Sequence, residues 1–248
     1  MNEEFYVGYL DHAPPAMARF VRRWVAAAVV VLLAWLAVIA GQQSPMGQGR
    51  FEFGIERVFE GLFLAEPLPL LRVAAPDGVG TNYVVVGLGK HGVPDVLRQY
   101  HGRRIRFRGS LIERDGTLMA EWNVPDSLEV LSPAPERDSE MEEIVMGDAH
   151  VAGELVDTKC FLGVMRPATG KVHRACAIRC LSGGVPPGLL VQREDGHAVV
   201  VMLVSGVGNV PWNVSWAGRQ VKVRGVLVRR GETLILKAAE AALLGAGG

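Results

Sequence analysis

The sequence has no excess of charge of either sign and is poor in aromatic residues. Its 248 residues include 26 Lys and Arg against 26 Asp and Glu, and aromatic side chains make up 7%. A neutral chain of this kind lacks both the basic surface and the stacking side chains by which proteins usually hold nucleic acid. We therefore expect no nucleic-acid partner.

Signatures of several enzyme and cofactor classes are also missing. There is no CxxCH for covalent haem attachment. The glycine-rich "GLGKHG", residues 87–92, lacks the spacing of a phosphate-binding loop and the Ser or Thr that follows one. No complete set of nucleophile, base and orienting group can be assembled from the sequence. An enzyme is therefore the least supported class of function.

One long apolar run is present near the N-terminus: "WVAAAVVVLLAWLAVIA", residues 24–40, contains no charged residue. A helix of this length is sufficient to cross a bilayer. Three arginines shortly precede it and the residues just after it are uncharged, which predicts a cytoplasmic N-terminus. We predict a cytoplasmic tail at 1–23, a single-pass anchor in the cytoplasmic membrane at 24–40, and periplasmic domains beyond it. A cleaved signal peptide is the alternative, because small residues precede Gly41.

An internal repeat organises the rest of the chain. Residues 102–121, "GRRIRFRGSLIERDGTLMAE", align without a gap to residues 218–237, "GRQVKVRGVLVRRGETLILK". Apolar residues alternate with polar ones in both copies, which is typical of half-buried strands, and "RDGT" and "RGET" are turn sequences. A glycine within the strand, Gly109 or Gly225, suits the strong coiling of a small barrel. The repeat predicts a mainly β chain with two small barrels.

The pattern "GRxVxVRGxLxRxxxTL" of the second copy resembles the middle strands of OB-fold domains in exported, membrane-anchored bacterial proteins. The resemblance implies tandem OB-like domains and carries no functional residue. We assign residues 41–131 to the first domain and 149–248 to the second, with an acidic, proline-containing linker at 132–148. The alanine-rich end, residues 238–248, is predicted to form a short helix and a frayed tail.

The second copy carries an insert, residues 160–187, that the first copy lacks. It contains every cysteine of the chain: Cys160, Cys176 and Cys180. The stretch "VHRACAIRC" is predicted to be helical and to stop at "LSGGVPPG". On that helix His173, Cys176 and Cys180 share one face. Since the first barrel folds without such a segment, we predict that the insert carries the function of the protein.

Four interpretations of the insert are open. Cys160, His173, Cys176 and Cys180 form a candidate ligand set for zinc, copper or an iron–sulfur cluster. An oxidising compartment favours instead a disulfide from Cys160 to Cys176 or Cys180, with one spare thiol. A third interpretation makes His173 a base for Cys176 in thiol catalysis. The fourth treats the cysteines as small buried side chains without chemistry.

Further candidate site residues flank these positions: Asp157, Arg174, Arg179, Ser182, Gly183 and Gly184. A carboxylate beside the cysteines could orient a ligand, and the two arginines would lower the pKa of a nearby thiol. The serine and glycines could form a nest of backbone amides for an anion.

These features together predict a membrane-tethered accessory or assembly protein, which presents the insert on an OB-like barrel to a membrane protein complex outside the cytoplasm. The alternative is a carrier of a metal or redox cofactor that uses His173 and the three cysteines. A thiol-based enzyme is the third hypothesis.

Overall fold

The computed structural model describes residues 13–41, 49–74, 80–132, 143–194, 196–206 and 212–245. The chain forms two compact units, Met1–Pro45 and Met46–Gly248. Helix α1, Pro15–Gly41, belongs to the first unit, and its 27 residues are long and apolar enough to cross a membrane. The predicted apolar N-terminal helix is therefore confirmed. It begins before the apolar run, because the arginine-containing residues in front of that run are helical as well.

Barrel 1 is built from five strands that close on themselves. The elements are β1 (Arg50–Phe51), β2 (Arg57–Leu64), β3 (Leu70–Val73), β4 (Thr81–Gly87), α2 (Asp95–Arg98), β5 (Arg103–Arg114), β6 (Thr117–Trp122), a 3-10 turn (Pro125–Ser127) and β7 (Glu129–Val130). Around the barrel the strand order is β2, β3, β4, β6 and β5, and of these five pairs β4–β6 is parallel. The short strands β1 and β7 pair with β5.

Barrel 2 contains β8 (Ile144–Asp157), α3 (Thr158–Leu162), α4 (Gly170–Ser182), β9 (Pro187–Gln192), β10 (Ala198–Ser205), a 3-10 turn (Val214–Trp216), β11 (Gln220–Arg230) and β12 (Thr233–Leu243). Its strands close in the corresponding order β8, β9, β10, β12 and β11, again with one parallel pair, β10–β12. The mainly β fold with two barrels and a helical insert is confirmed, and it is consistent with tandem OB-like domains.

The repeat glycines lie within single long strands, where the backbone passes its neighbour closely. A Cβ atom on Gly109 would lie 2.2 Å from the carbonyl oxygen of Glu121, and one on Gly225 would lie 2.1 Å from that of Lys237. The pairing of β11 with β12 shifts register next to Gly225. Glycine at these positions therefore permits the bend that closes each barrel.

Two predicted segments differ from the structure. Residues 238–243 are strand rather than helix, because their pairing with the first half of β11 outweighs the helix propensity of an alanine-rich sequence. Strand β8 begins at Ile144, so the last five residues of the predicted linker 132–148 belong to barrel 2. Linker residues 133–142, tail residues 1–12 and residues 246–248 lie outside the described residues.

Each barrel has an apolar interior of its own. Fully buried members in barrel 1 are Phe63, Leu71, Val85, Ile105 and Phe107. Those in barrel 2 are Leu155, Leu189, Val221, Val223 and Leu236.

A third apolar cluster contains side chains from both barrels. Met119 and Ile235 occupy the same position of the repeat, and their partners on the parallel neighbouring strands are Val84 and Met202. All four side chains are buried in this cluster. The two barrels therefore bury equivalent faces against each other, and each fully buried side chain of this size contributes about 1.5–3 kcal/mol.

Candidate functional site

The insert forms two helices that follow directly from strand β8. Asp157, the last residue of β8, precedes helix α3, and its Oδ1 caps the helix by accepting a hydrogen bond of 2.8 Å from the amide of Cys160. Cys160 therefore lies on a helix. Helix α4 covers the predicted "VHRACAIRC" and ends where the amides of Gly183 and Gly184 bond back to its last turn.

The three thiols converge between these helices. The Sγ atom of Cys160 lies 3.9 Å from that of Cys176 and 3.8 Å from that of Cys180, and all three sulfurs lie within 4.8 Å of one another. Each is a free thiol. Two helices from one insert thus place three soft ligand atoms around a single point, and the predicted disulfide stays a prediction.

His173 belongs to a different group of side chains. Its Nε2 atom lies 3.0 Å from Oδ2 of Asp157, and both side chains are buried. Its neighbours among potential ligand atoms are those of Asp157 and Cys160, whereas Cys176 and Cys180 group with Cys160. The structure thus brings three of the four predicted metal ligands together, and it places the histidine beside the carboxylate that caps α3.

A lysine of barrel 1 completes the thiol cluster. The Nζ atom of Lys90, in the glycine-rich loop 87–92, lies 2.7 Å from Sγ of Cys176. This hydrogen bond raises the pKa of Lys90, and the neighbouring Cys180 and Cys160 act in the same direction. Sequence reasoning missed Lys90, because nothing in a short glycine-rich loop indicates that it meets a segment 86 residues away.

The pKa values of two thiols move in opposite directions. A hydrogen bond with Cys160 lowers the pKa of Cys180, and the charge of Lys90 adds to this effect. The same hydrogen bond raises the pKa of Cys160, together with burial and the negative charge of Asp157. Of these two thiols, Cys180 therefore loses its proton first, and Cys160 donates a hydrogen bond to the resulting thiolate.

A buried ion pair holds the loop that carries Lys90. The Nζ atom of Lys159, on α3, donates hydrogen bonds of 2.6 Å to the carbonyl oxygens of Gly87 and Gly89 and to Oε1 of Glu121. Lys159 is 7% exposed and Glu121 3%. Lys159 belongs to barrel 2 and Glu121 to barrel 1, so the pair fixes the loop against the insert.

Backbone contacts join the same loop to the end of α4. The amide of Gly92 donates to the carbonyl oxygen of Gly183 at 2.9 Å. A Cβ atom on Gly183 would lie 2.0 Å from the carbonyl oxygen of Lys90, and one on Gly92 would lie 1.9 Å from that of Gly184. The amides of Gly183 and Gly184 are used to end helix α4, as the predicted glycine stop requires, and an anion nest at 182–184 stays a prediction.

Neither predicted arginine makes a hydrogen bond to a thiol in the part of the chain that the structure describes. Arg174 donates through Nη2 to the carbonyl oxygen of Ser215 at 2.7 Å, and Arg179 is exposed. Lys90 is therefore the cation that the structure places in hydrogen-bonding distance of a cysteine among the described residues.

The three thiols line an open cavity of about 310 Å³. Lys90, Lys159 and Glu121 supply its polar groups, and the remaining lining is mostly apolar. Several apolar lining residues are exposed to solvent: Phe53, Leu88, Val164 and Met165. The site therefore combines soft ligands, an ammonium group and an apolar rim.

No protein-family model matches this chain, and a comparison with curated proteins finds no significant relative.

Proposed function

We propose that this protein is a membrane-tethered carrier of a thiophilic metal ion, which it binds through Cys160, Cys176 and Cys180. Its main support is the convergence of the three thiols. Four sulfurs at about 2.3 Å from a tetrahedral ion are about 3.8 Å apart. Two of the three sulfur–sulfur distances, 3.9 and 3.8 Å from Cys160, match that spacing, and the third, between Cys176 and Cys180, is within 4.8 Å.

Three protein ligands leave one position of a tetrahedral ion open to an exchangeable ligand. The adjoining cavity supplies room for it, and Met165, a soft thioether, lines the same cavity. An iron–sulfur cluster ordinarily takes four cysteines, so three thiols favour Zn²⁺ or Cu⁺. His173 is left out of the ligand set, since it bonds to Asp157.

The charges of the site suit a metal–thiolate complex. Zinc bound by three thiolates carries one net negative charge, and the Lys90 ammonium beside Cys176 offsets it. The lowered pKa of Cys180 favours the thiolate that a first metal contact requires.

The membrane tether rests on α1, which is long and apolar enough to span a bilayer. The arginines before its apolar run support a cytoplasmic N-terminus and barrels outside the cytoplasm. Presentation of the site to a membrane protein partner is a second candidate function. It is favoured by the exposed rim around the thiols, where Phe53 is 82% exposed.

Metal analysis with thiol counting tests the carrier. The full chain, purified anaerobically in detergent, should contain about one equivalent of zinc or copper, whose affinity depends on thiolate ligands. Cys180→Ser should lose the metal. Val172→Ser should keep it, because Val172 lies on the same helix and is 83% exposed. A chain without metal and with one free thiol would overturn the carrier in favour of a disulfide.

A further inference from the structure

Arg114 is a buried cation without a carboxylate partner among the described residues. It is 4% exposed, and its Nη2 donates to the carbonyl oxygen of Gly163 at 3.0 Å. The guanidinium also lies 4.5 Å from the ring centre of Phe161. Its Nε atom is buried and has no hydrogen-bond partner within the described part of the chain. A guanidinium keeps its charge, so burial without a counter-ion is unfavourable.

The repeat supplies an internal comparison, because Arg230 occupies the position of Arg114 in barrel 2. Arg230 is also largely buried, but its Nη2 lies 2.8 Å from a carboxylate oxygen of Glu143. The arginine at this repeat position is therefore paired with a carboxylate in barrel 2, whereas in barrel 1 no carboxylate among the described residues pairs with it.

Strand pairing identifies the residue that takes the place of Glu143 in barrel 1. Strand β1 pairs with the end of β5 as the start of β8 pairs with the end of β11. The residue just before β8 is Glu143, and the one just before β1 is Gly49. A Cβ atom on Gly49 would lie 1.8 Å from the carbonyl oxygen of Gly163 and 2.6 Å from Nη2 of Arg114. The protein therefore has no room for a carboxylate side chain of its own at this position.

A cavity of about 180 Å³ adjoins Arg114. Thr117 offers a hydroxyl group at its wall, and Phe161, Leu162, Val200 and Leu234 are among its apolar lining residues. Two acidic residues, Asp115 and Glu232, also line it. Burial lowers the pKa of Arg114, and the charge of Arg166 nearby does so as well, while the charge of Asp115 opposes both effects without outweighing them. The cavity thus offers a cation that no carboxylate of the described ranges pairs with, apolar walls, and acidic groups that disfavour a highly charged anion.

We propose that this cavity binds a small organic monocarboxylate, whose carboxylate pairs with Arg114 as Glu143 pairs with Arg230. The Thr117 hydroxyl is available as a second donor. The apolar walls would contact the body of the ligand, and a cavity of about 150 Å³ already holds a benzene ring. A singly charged carboxylate suits a site with two acidic neighbours better than phosphate does.

Thermal unfolding of the full chain in detergent tests the site, with benzoate, propionate and inorganic phosphate as probes at matched ionic strength. Benzoate at a ten-fold excess over its Kd should raise the midpoint by about 3 °C. Arg114→Gln should abolish the shift. Val200→Phe, which fills the cavity and keeps the arginine, should abolish it too. Val145→Phe, at a 65% exposed position of β8, should retain it.

Three outcomes would overturn the proposal. The first is the absence of a shift with every probe. The second is an equal benzoate shift in Val200→Phe and the unchanged protein, which would place the binding elsewhere. The third is a shift with phosphate and none with either carboxylate, which would exclude a monocarboxylate site.

Discussion

Replacement of Lys159 by methionine is expected to destabilise the junction of the two barrels without removing a thiol. The Nζ atom of Lys159 makes three hydrogen bonds of 2.6 Å, one to Glu121 and two to the carbonyl oxygens of Gly87 and Gly89. Methionine keeps most of the length of the side chain and removes the ammonium group. Within the described part of the chain, the carboxylate of Glu121 would then keep the amide of Gly89, at 3.2 Å, as its one hydrogen-bond partner.

The expected loss follows from the burial of the pair, whose side chains are 8% and 4% exposed. Removing one member of a buried ion pair costs about 3–5 kcal/mol, because the other charge stays buried and unpaired. The double variant with Glu121→Met should recover most of this loss, since it removes both charges and keeps the volume. The loop with Lys90 would be released in the single variant, so metal content should fall as well.

Urea unfolding of the full chain in detergent measures the loss through the fluorescence of its five tryptophans. Arg108→Met is a matched control, because Arg108 pairs with Glu56 at 3.0 Å while both side chains are about half exposed. That variant should lose about 0.2–1 kcal/mol. A loss in Lys159→Met as small as in the control would refute the reasoning. So would a double variant no more stable than the single one.

Two further predictions concern pH and packing. Burial acts to raise the pKa of Glu143, but hydrogen bonds and charges of Lys237 and Arg230 outweigh it, so the pKa lies below its usual value. This stabilisation is complete above the unfolded pKa of about 4.3 and is lost as pH falls through the folded pKa. Glu143→Gln should therefore lower the thermal unfolding midpoint at pH 7 and change it little in strong acid. An equal fall of the midpoint at both pH values would contradict this. Gly183→Ala should lower the free energy of unfolding in urea by about 1–3 kcal/mol, because the new Cβ would lie 2.0 Å from the carbonyl oxygen of Lys90. The displaced loop should also weaken metal binding. Unchanged stability and metal content would disprove that contact.

The barrels and the insert could be predicted because their signals are local. Alternating side chains, turn sequences and a gapless repeat describe each strand without reference to distant residues. The helix through Cys176 and Cys180 was predicted in the same way, from its periodicity and its glycine stop. Comparison of the two repeat copies also identified the insert, because it showed which segment of the second copy the first one lacks.

The remaining parts of the site depend on contacts between the barrels, which no local pattern encodes. Lys90 and Cys176 are 86 residues apart, and Lys159 and Glu121 are 38 apart. Helical spacing alone placed His173 with the cysteines, but the carboxylate that caps α3 is its hydrogen-bond partner. The strand at 238–243 escaped prediction for a related reason, because pairing with β11 decides its conformation.

The equivalent faces that meet between the barrels give this chain a junction like that of a homodimer, with the two copies joined in one chain. Two separate barrels with such faces would associate only at protein concentrations above their dissociation constant. A single chain holds the two barrels together at any dilution. A true homodimer would also carry each group of its junction twice. Here Lys90 comes from one barrel and Cys160, Cys176 and Cys180 from the other. Linking two unlike copies therefore yields one thiol site per molecule, with no second copy to compete for the same ion.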